Sequence, residues 1–369
     1  MVWELWFIAI LSIFVAITFL HSLLLPSLKR GMRVVGEPLV SILVPMRNEQ
    51  MNVKGMVSSL KKQTYPNFEV LILDDESTDG TRDALNLATY GDNRFRIVTG
   101  SEKPEGWIGK VYACHQLGQQ AKGEYLLYID ADVRIEPAAV ETALAFMQRH
   151  KLFLLSGFSR FLLPTWLNQL LVPMQHFIVL FHLPIALANW TKWPAATAAH
   201  GGFMFFERTA YEAIGGHESV HSEIVEDVAI SKRMKANGYK MWLANITEFC
   251  SCTMYETNEG VWKGFSKNIY NGLGRSVGMA TLVIIFYVTM YVFPAILLVL
   301  ALFLDQPLWL VPYALITLQA LIVYRTTREP LFLAFLLPAS ALALVLLLGN
   351  AMRQSLQGQQ VEWKGRFYG

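Results

Sequence analysis

The sequence predicts an α/β protein: an open, mostly parallel sheet flanked by helices, held between N- and C-terminal transmembrane helices. Three observations carry this. Short apolar runs alternate with helix-like stretches over residues 38–160, each run ending in a polar cluster. Long uncharged runs lie at both ends of the 369-residue chain. The composition is 53% hydrophobic and only 16% charged, against about 25% charged in a typical soluble domain. A net charge of +2 is too small to argue for a nucleic-acid partner.

Residues 1–30 read as a transmembrane anchor. The run from Leu5 to Leu28 is followed by Lys29, Arg30 and Arg33, and at about 1.5 Å per residue it spans the roughly 30 Å hydrocarbon layer. Glu4 precedes the run and the cations follow it, the reverse of a cleaved signal peptide. The positive-inside rule then places residue 30 onward in the cytoplasm. This predicts a multi-pass cell-membrane protein with its polar domain facing the cytoplasm.

Residues 38–160 form the first polar half. Val40–Val44, Glu69–Leu73 and Tyr125–Ile129 read as buried parallel strands, with helices around 50–63, 78–90 and 108–122 between them. Open α/β sheets bind ligands at the carboxyl ends of their strands. Residues 161–190 are apolar but interrupted by Asn168, Gln169, Gln175, His176 and His182 and by Pro164, Pro173 and Pro184, a pattern that fits amphipathic helices lying in the membrane interface over 161–194. Residues 195–275 return to polar character, with a helix over 224–237. Within 278–350, apolar stretches at 278–304, 307–324 and 330–349 read as transmembrane helices. Asp305-Gln306-Pro307 carries no cation, whereas Arg325 and Arg328 do. Alternating spans leave the tail 351–369 outside, against its Arg353, Lys364 and Arg366; either the tail is external or the Pro338-containing segment is re-entrant. Cys114, Cys250 and Cys252 form no disulfide framework or zinc pattern and read as reduced thiols.

The chemistry gathers at the strand ends. Asp130-Ala-Asp132 follows the third strand, where two carboxylates can converge on one hard divalent cation whose remaining ligands are substrate phosphates. Asp74-Asp75-Glu76-Ser77-Thr78-Asp79-Gly80 closes the second strand and Pro45-Met46-Arg47-Asn48-Glu49 the first. A single cluster is explained by a helix cap; three on one sheet edge point to a ligand site.

Val40–Glu49, Leu73–Thr81, the D-A-D and Val225-Glu-Asp-Val228 stand in the order and spacing of the family 2 glycosyltransferases, which this chain resembles over roughly residues 38–275. The resemblance implies a GT-A-like fold in which Pro45, Arg47, Glu49 and Asp75, with the adjacent Asp74, bind the donor nucleoside. It implies that Asp130 and Asp132 handle diphosphate and metal (Mg²⁺ or Mn²⁺), and that Asp227 is the catalytic base. Gly106-Trp107-Ile108-Gly109-Lys110 resembles the G-W-x-G-K element of membrane enzymes that glycosylate lipids, including ceramide and carotenoid glucosyltransferases. A lysine opening a helix sets charge and free N–H groups near a pyrophosphate. Trp107, His200, Gly201, Glu226, Trp262 and Lys267 are candidate acceptor or phosphate contacts. The Q/R-x-x-R-W element of processive and ceramide enzymes is replaced by Trp262-Lys-Gly-Phe-Ser-Lys-Asn-Ile-Tyr270.

The expectation is an inverting, metal-dependent transfer of a hexose from a nucleotide-sugar, UDP-linked by resemblance, to a membrane lipid such as a carotenoid acid or another glycolipid precursor. A processive polysaccharide synthase and a non-catalytic membrane scaffold are the alternatives. His217-Glu218-Ser219-Val220-His221 matches the zinc-protease H-E-x-x-H spacing, but follows Gly215-Gly216 and lacks a third ligand at the expected distance. The sequons at Asn189 and Asn245 read as accidental in a cytoplasmic domain.

Overall fold

The computed structural model describes residues 2–357, together with the backbone of 361–363 and 366–368. Of the tail cations, Lys364 lies outside the described residues and the Arg366 side chain is not described. The chain divides into two compact units, one of Leu25–Arg160 with Ile185–Cys252, the other of residues up to Leu24, Phe161–Pro184 and residues from Thr253 onward.

The first unit contains β1 (Val40–Met46), β2 (Phe68–Asp74), β3 (Phe95–Thr99), β4 (Tyr125–Ile129), β5 (Val133–Ile135), β6 (Leu154–Phe158), β7 (Phe203–Glu207), β8 (Met241–Asn245) and β9 (Cys250–Cys252). Seven strands form one sheet in the order β3-β2-β1-β4-β7-β6-β8. All neighbours are parallel except the pairs β7 makes with β4 and β6. The sheet is therefore mostly parallel, as the sequence predicts. The predicted helices appear as Gln50–Lys61, Thr81–Thr89, Gly109–Gln120 and Glu226–Ala236.

Val40–Val44 and Val70–Leu73 are fully buried, which is why these strands read as unbroken apolar runs rather than as alternation. The one polar residue within β1, Ser41, is satisfied: its hydroxyl donates to Glu69 at 2.6 Å and accepts the Gly123 amide at 2.8 Å. Gly123 must be glycine here, because a Cβ would stand 2.5 Å from the Ser41 nitrogen. In register, Met46 pairs with Asp74 and Asp74 with Thr99, so these strands end level and project their loops to one edge. Beside the main sheet, β5 pairs antiparallel with β9, placing Cys252 opposite Val133.

In the second unit, Val2–Leu24, Val277–Leu304, Pro307–Thr327 and Leu331–Leu356 are long and apolar enough to cross a membrane. Two buried polar side chains among them, Tyr291 and Gln319, find internal partners, as a membrane environment favours. Tyr291 donates to Gln319 at 3.2 Å, and Gln319 donates to Thr18 at 2.9 Å. A π-turn over Val288–Val292 precedes Pro294, which has no N–H to continue the ladder. Trp166–His182 is one helix, Pro173 included, capped by Thr165. Of the polar residues that suggested an interfacial face, Asn168 and His176 are buried, Gln169 and Gln175 half-buried and His182 exposed. Asn168 donates to Thr165 and to the Tyr255 carbonyl, His176 lies 3.3 Å from Glu329, and His182 bonds Tyr287 at 3.0 Å. The helix Asn258–Gly272, which carries Trp262 and Lys267, groups with this unit rather than with the sheet. Within it Lys263 pairs with Glu259 at 2.6 Å.

Candidate functional site

The loop after β1 is built on the loop after β2. Asn48, in the left-handed region at φ 52°, donates its amide to Ser77 and accepts the Thr78 amide at 2.8 Å. Glu49 N–H bonds Thr81 at 2.8 Å and Gln50 N–H bonds Asp79. Arg47 donates to the Asp75 carbonyl at 2.7 Å. Asp74 accepts the Ser77 amide at 3.2 Å and so closes its own turn. These polar residues therefore fix a preorganised rim at the sheet edge, with Asp75 buried beneath it.

Lys110 opens the helix Gly109–Gln120, after a turn in which Gly106 takes φ 82°. Trp107 packs against Tyr112, His115 and His221, and the Ile108 amide bonds the His221 carbonyl at 2.8 Å. The G-W-x-G-K tryptophan thus braces the helix start that delivers Lys110. The Lys110 ammonium bridges two carboxylates, 2.8 Å from Asp130 and 3.0 Å from Glu226. Burial alone would lower its pKa; the two carboxylates more than reverse this and hold it well above the ordinary lysine value.

Asp227, beside Glu226 at the start of the helix Glu226–Ala236, accepts the Gly201 amide and the Val228 amide, each at 2.8 Å. Burial first, then the Glu226 carboxylate, push its carboxyl up to about 7 against the lowering effect of Lys110 and these amides. Gly201 has little room for any side chain, since a Cβ would lie 3.3 Å from Lys110 Nζ and 3.4 Å from Asp227 Oδ2. His200 is tied to β6 through its amide, which donates to Ser156 at 2.8 Å. Pro45, Lys110, Asp130, Gly201 and Asp227 line one cleft. The structure thus brings together residues drawn from five separate stretches of sequence.

A divalent cation is implied by the D-A-D pattern, and the residues fit it. Asp132 Oδ1 is buried and accepts no hydrogen bond among the described residues. The carboxyl is pushed up by burial and then by the neighbouring Asp130 and Glu49 carboxylates, and the Cys252 thiol hydrogen-bonds to it. An orphaned carboxylate oxygen among like charges suits a hard cation. Among the described residues no three His, Cys, Asp or Glu side chains form a complete cage, which leaves coordination positions for substrate oxygens.

The H-E-x-x-H spacing does not make a metal pair. Gly216–Val220 is a 3₁₀ turn, His217 Nδ1 is engaged by the Tyr211 hydroxyl, and His221 is exposed. His217 nevertheless lines the cleft, a placement the spacing gave no reason to expect. The sequons are structural: Asn189 is buried and bonds the Leu243 backbone in both directions, and Asn245 accepts from Thr247.

Residues 41–215 match the family described as Glycosyl transferase family 2. The chain is 33% identical over 124 residues to the putative teichuronic acid biosynthesis glycosyltransferase TuaG of Bacillus subtilis, covering 33% of this chain and 48% of that protein. It is 24% identical over 240 residues to the 4,4'-diaponeurosporenoate glycosyltransferase of Staphylococcus haemolyticus, covering 63% and 61%. It is 34% identical over 94 residues to the Escherichia coli UDP-Glc:alpha-D-GlcNAc-diphosphoundecaprenol beta-1,3-glucosyltransferase WfgD, covering 26% and 35%. The chain thus spans less than two thirds of each of these relatives. The mannosyltransferase PcManGT of Pyrobaculum calidifontis, solved with GDP-Man and Mn2+, has a similar fold, with TM-score 0.51, 18% identity and coverage of 95% of this chain and 99% of that one.

Proposed function

Because residues 41–215 are a Glycosyl transferase family 2 domain, we propose that the protein is an inverting, metal-dependent glycosyltransferase. It moves a hexose from a nucleotide-sugar, UDP-linked by preference, to a lipid acceptor at the cytoplasmic membrane. The observation that carries this reading is the Lys110 bridge. One ammonium joins Asp130, at the end of β4, to Glu226, the neighbour of Asp227, so a donor-handling carboxylate and a candidate base share one cleft.

In this mechanism Asp227 takes the proton from the acceptor hydroxyl or carboxyl group as its oxygen attacks the anomeric carbon. The bond from that carbon to phosphate breaks, and the nucleoside diphosphate leaves with the electron pair. Attack from the face opposite the leaving group inverts the configuration, which calls for carboxylates on both sides of the sugar. The raised Asp227 carboxyl suits a base working near neutral pH. Lys110 holds positive charge where the diphosphate develops negative charge. Asp130 and Asp132 would hold Mg²⁺ or Mn²⁺, which supplies Lewis-acid stabilisation of the leaving diphosphate. Pro45, Arg47, Glu49 and Asp75 would form the nucleoside rim.

A lipid acceptor is supported by the four apolar helices in the same chain and by the carotenoid and undecaprenol acceptors in the names of two relatives. A carotenoid acid is the reading closest to the relative that aligns over 240 residues. The cations at 29–33 support a catalytic unit on the cytoplasmic side, by the positive-inside rule. The test incubates membranes carrying the protein with labelled UDP-glucose and Mn²⁺, then separates lipid from polymer products. Label should enter the lipid fraction, Asp132→Ala should abolish transfer, and Asp227→Asn should keep nucleotide-sugar binding while losing transfer. A normal transfer rate in purified Asp227→Asn would remove the base assignment, and polymer product would remove the lipid acceptor.

A further inference from the structure

His217 lies outside the mechanism above, yet it is 4% exposed and lines the same cleft as Lys110, Asp130, Glu226 and Asp227. Its hydrogen bonds determine which ring nitrogen carries the proton. The Tyr211 hydroxyl accepts the His217 backbone N–H at 3.1 Å and the Tyr128 hydroxyl at 2.9 Å, the shorter of two contacts open to the Tyr128 proton, the other being the Cys114 carbonyl at 3.3 Å. The single Tyr211 hydroxyl proton is then left for His217 Nδ1, 2.8 Å away. Nδ1 is therefore the acceptor, and the proton of the neutral ring sits on Nε2. Burial, then the Lys110 charge and His115, hold this imidazole down to about 3, so it stays neutral across the working pH range. Nε2–H has no hydrogen-bond partner among the described residues, and this nitrogen is not sealed from solvent. On the wall of a polar cleft, such an open donor is available to a ligand.

We propose that His217 is a donor-sugar specificity residue, whose Nε2–H donates a hydrogen bond to one hydroxyl of the transferred hexose. This rests on the glycosyltransferase reading and adds to it. The diphosphate is the natural partner of Lys110 and the cation. His217 instead shares the wall with Gly201 and Asp227, where the sugar must lie between leaving group and base. A neutral, tautomer-locked donor suits a hydroxyl, and a site built to bond one rejects an analogue that lacks it. Tyr128 and Tyr211 act as positioning residues, since their hydroxyl chain fixes the tautomer. The Tyr128 and His217 rings also pack at 4.6 Å between centroids.

The test uses the full-length protein in detergent with Mn²⁺. Binding of UDP-glucose, UDP-galactose, UDP-N-acetylglucosamine and GDP-mannose is measured by calorimetry, and the tightest donor is compared with its monodeoxy analogues. Wild type should bind one deoxy analogue about fivefold to tenfold more weakly than the parent. His217→Ala should bind the parent that much more weakly, stop distinguishing that one analogue, and keep its discrimination at the other positions. His217→Gln, which retains an N–H at similar reach, should recover part of it. Tyr211→Phe keeps the ring volume but removes the lock and should also blunt discrimination at the same hydroxyl. It carries the test if His217→Ala does not fold. Unchanged discrimination in these variants would overturn the assignment, as would a wild type indifferent to every deoxy analogue. Failure of wild type to bind any donor would overturn the glycosyltransferase reading and this assignment together.

Discussion

Replacing Gly201 by alanine would add one methyl group between the two charged groups that matter most. The new Cβ would lie 3.3 Å from Lys110 Nζ, a crowded contact, and 3.4 Å from Asp227 Oδ2, an ordinary one. Either Lys110 Nζ gives way by a few tenths of an ångström, or the Gly201 backbone draws back and stretches its 2.8 Å amide bond to Asp227. A hydrogen bond to a charged group is worth about 1.5–3 kcal/mol. Weakening it by half, and shifting the base from its aim, predicts a transfer rate lower by roughly tenfold. Gly201 has no positive φ, so backbone strain adds nothing, and the thermal midpoint should hold. The assay is single-turnover transfer from labelled UDP-glucose, run for Gly201→Ala, Asp227→Asn and the double variant. Once Asp227 is asparagine, the alanine should cost little more, because both act on one group. Additive losses, or full turnover in Gly201→Ala, would refute the claim that this amide aims the base.

The pH profile of transfer should have an acid limb near 7, because Asp227 must be ionised to act and its carboxyl is raised to about 7. Rates should fall by about tenfold per pH unit below it. The stability sign is the opposite: a carboxyl raised in the folded state binds more protons folded than unfolded, so this group's contribution weakens as pH climbs from about 4 to about 7. Thermal melts of wild type and Asp227→Asn across that range test both signs. Chelation should stop transfer. Cys252→Ala, which removes the thiol bonded to Asp132, should raise the half-saturating Mn²⁺ concentration by about tenfold or more, read from rate against metal. Lys235 is buried and donates to the carbonyls of Ala188 and Ala196 at 2.5 and 2.6 Å. Lys235→Met orphans both, at about 1–3 kcal/mol each, and should lower the thermal midpoint clearly.

How much was legible in the sequence follows from what each element's signal is made of. β1, β2 and β4 announce themselves because both faces are buried and nearly every residue is apolar. β3, with Arg96 exposed within Phe95–Thr99, and β6, broken by Ser156 and Gly157, carry no such run. Gly157 is explained only by tertiary contact, since a Cβ there would meet the Ala244 carbonyl of β8 at 2.5 Å. The strand-end residues were legible because loop chemistry and ligand chemistry use the same polar types. Asp74, which reads as donor-binding, also accepts the Ser77 amide and so has a part in the turn itself. The polar interruptions of Trp166–His182 suggested a helix lying in the membrane interface, and sequence alone cannot show that two of them, Asn168 and His176, are buried. His217 was visible only as part of a protease-like spacing; its role depends on Tyr128 and Tyr211, one of them 89 residues away in sequence.

The Lys110 bridge also bears on why the cleft would need a cation at all. Asp130, Asp132, Glu226 and Asp227 bring four carboxyl groups to the cleft and its rim, and Lys110 alone stands between Asp130 and Glu226. Burial first, and then this crowding of like charges, raises the carboxyls of Asp132 and Asp227. A nucleoside diphosphate is itself an anion. Entering such a cleft unaccompanied, it would meet repulsion that one already paired ammonium cannot offset, and at an effective dielectric of about 20 each uncompensated pair at 4 Å opposes binding by about 4 kcal/mol. A divalent cation held by Asp130 and Asp132 changes the sign of that balance on the donor side, and leaves Lys110 bonded to Glu226 beside the base. The acidic crowding that makes bare donor binding unfavourable therefore adds to burial in raising Asp227 into the range where it can accept a proton.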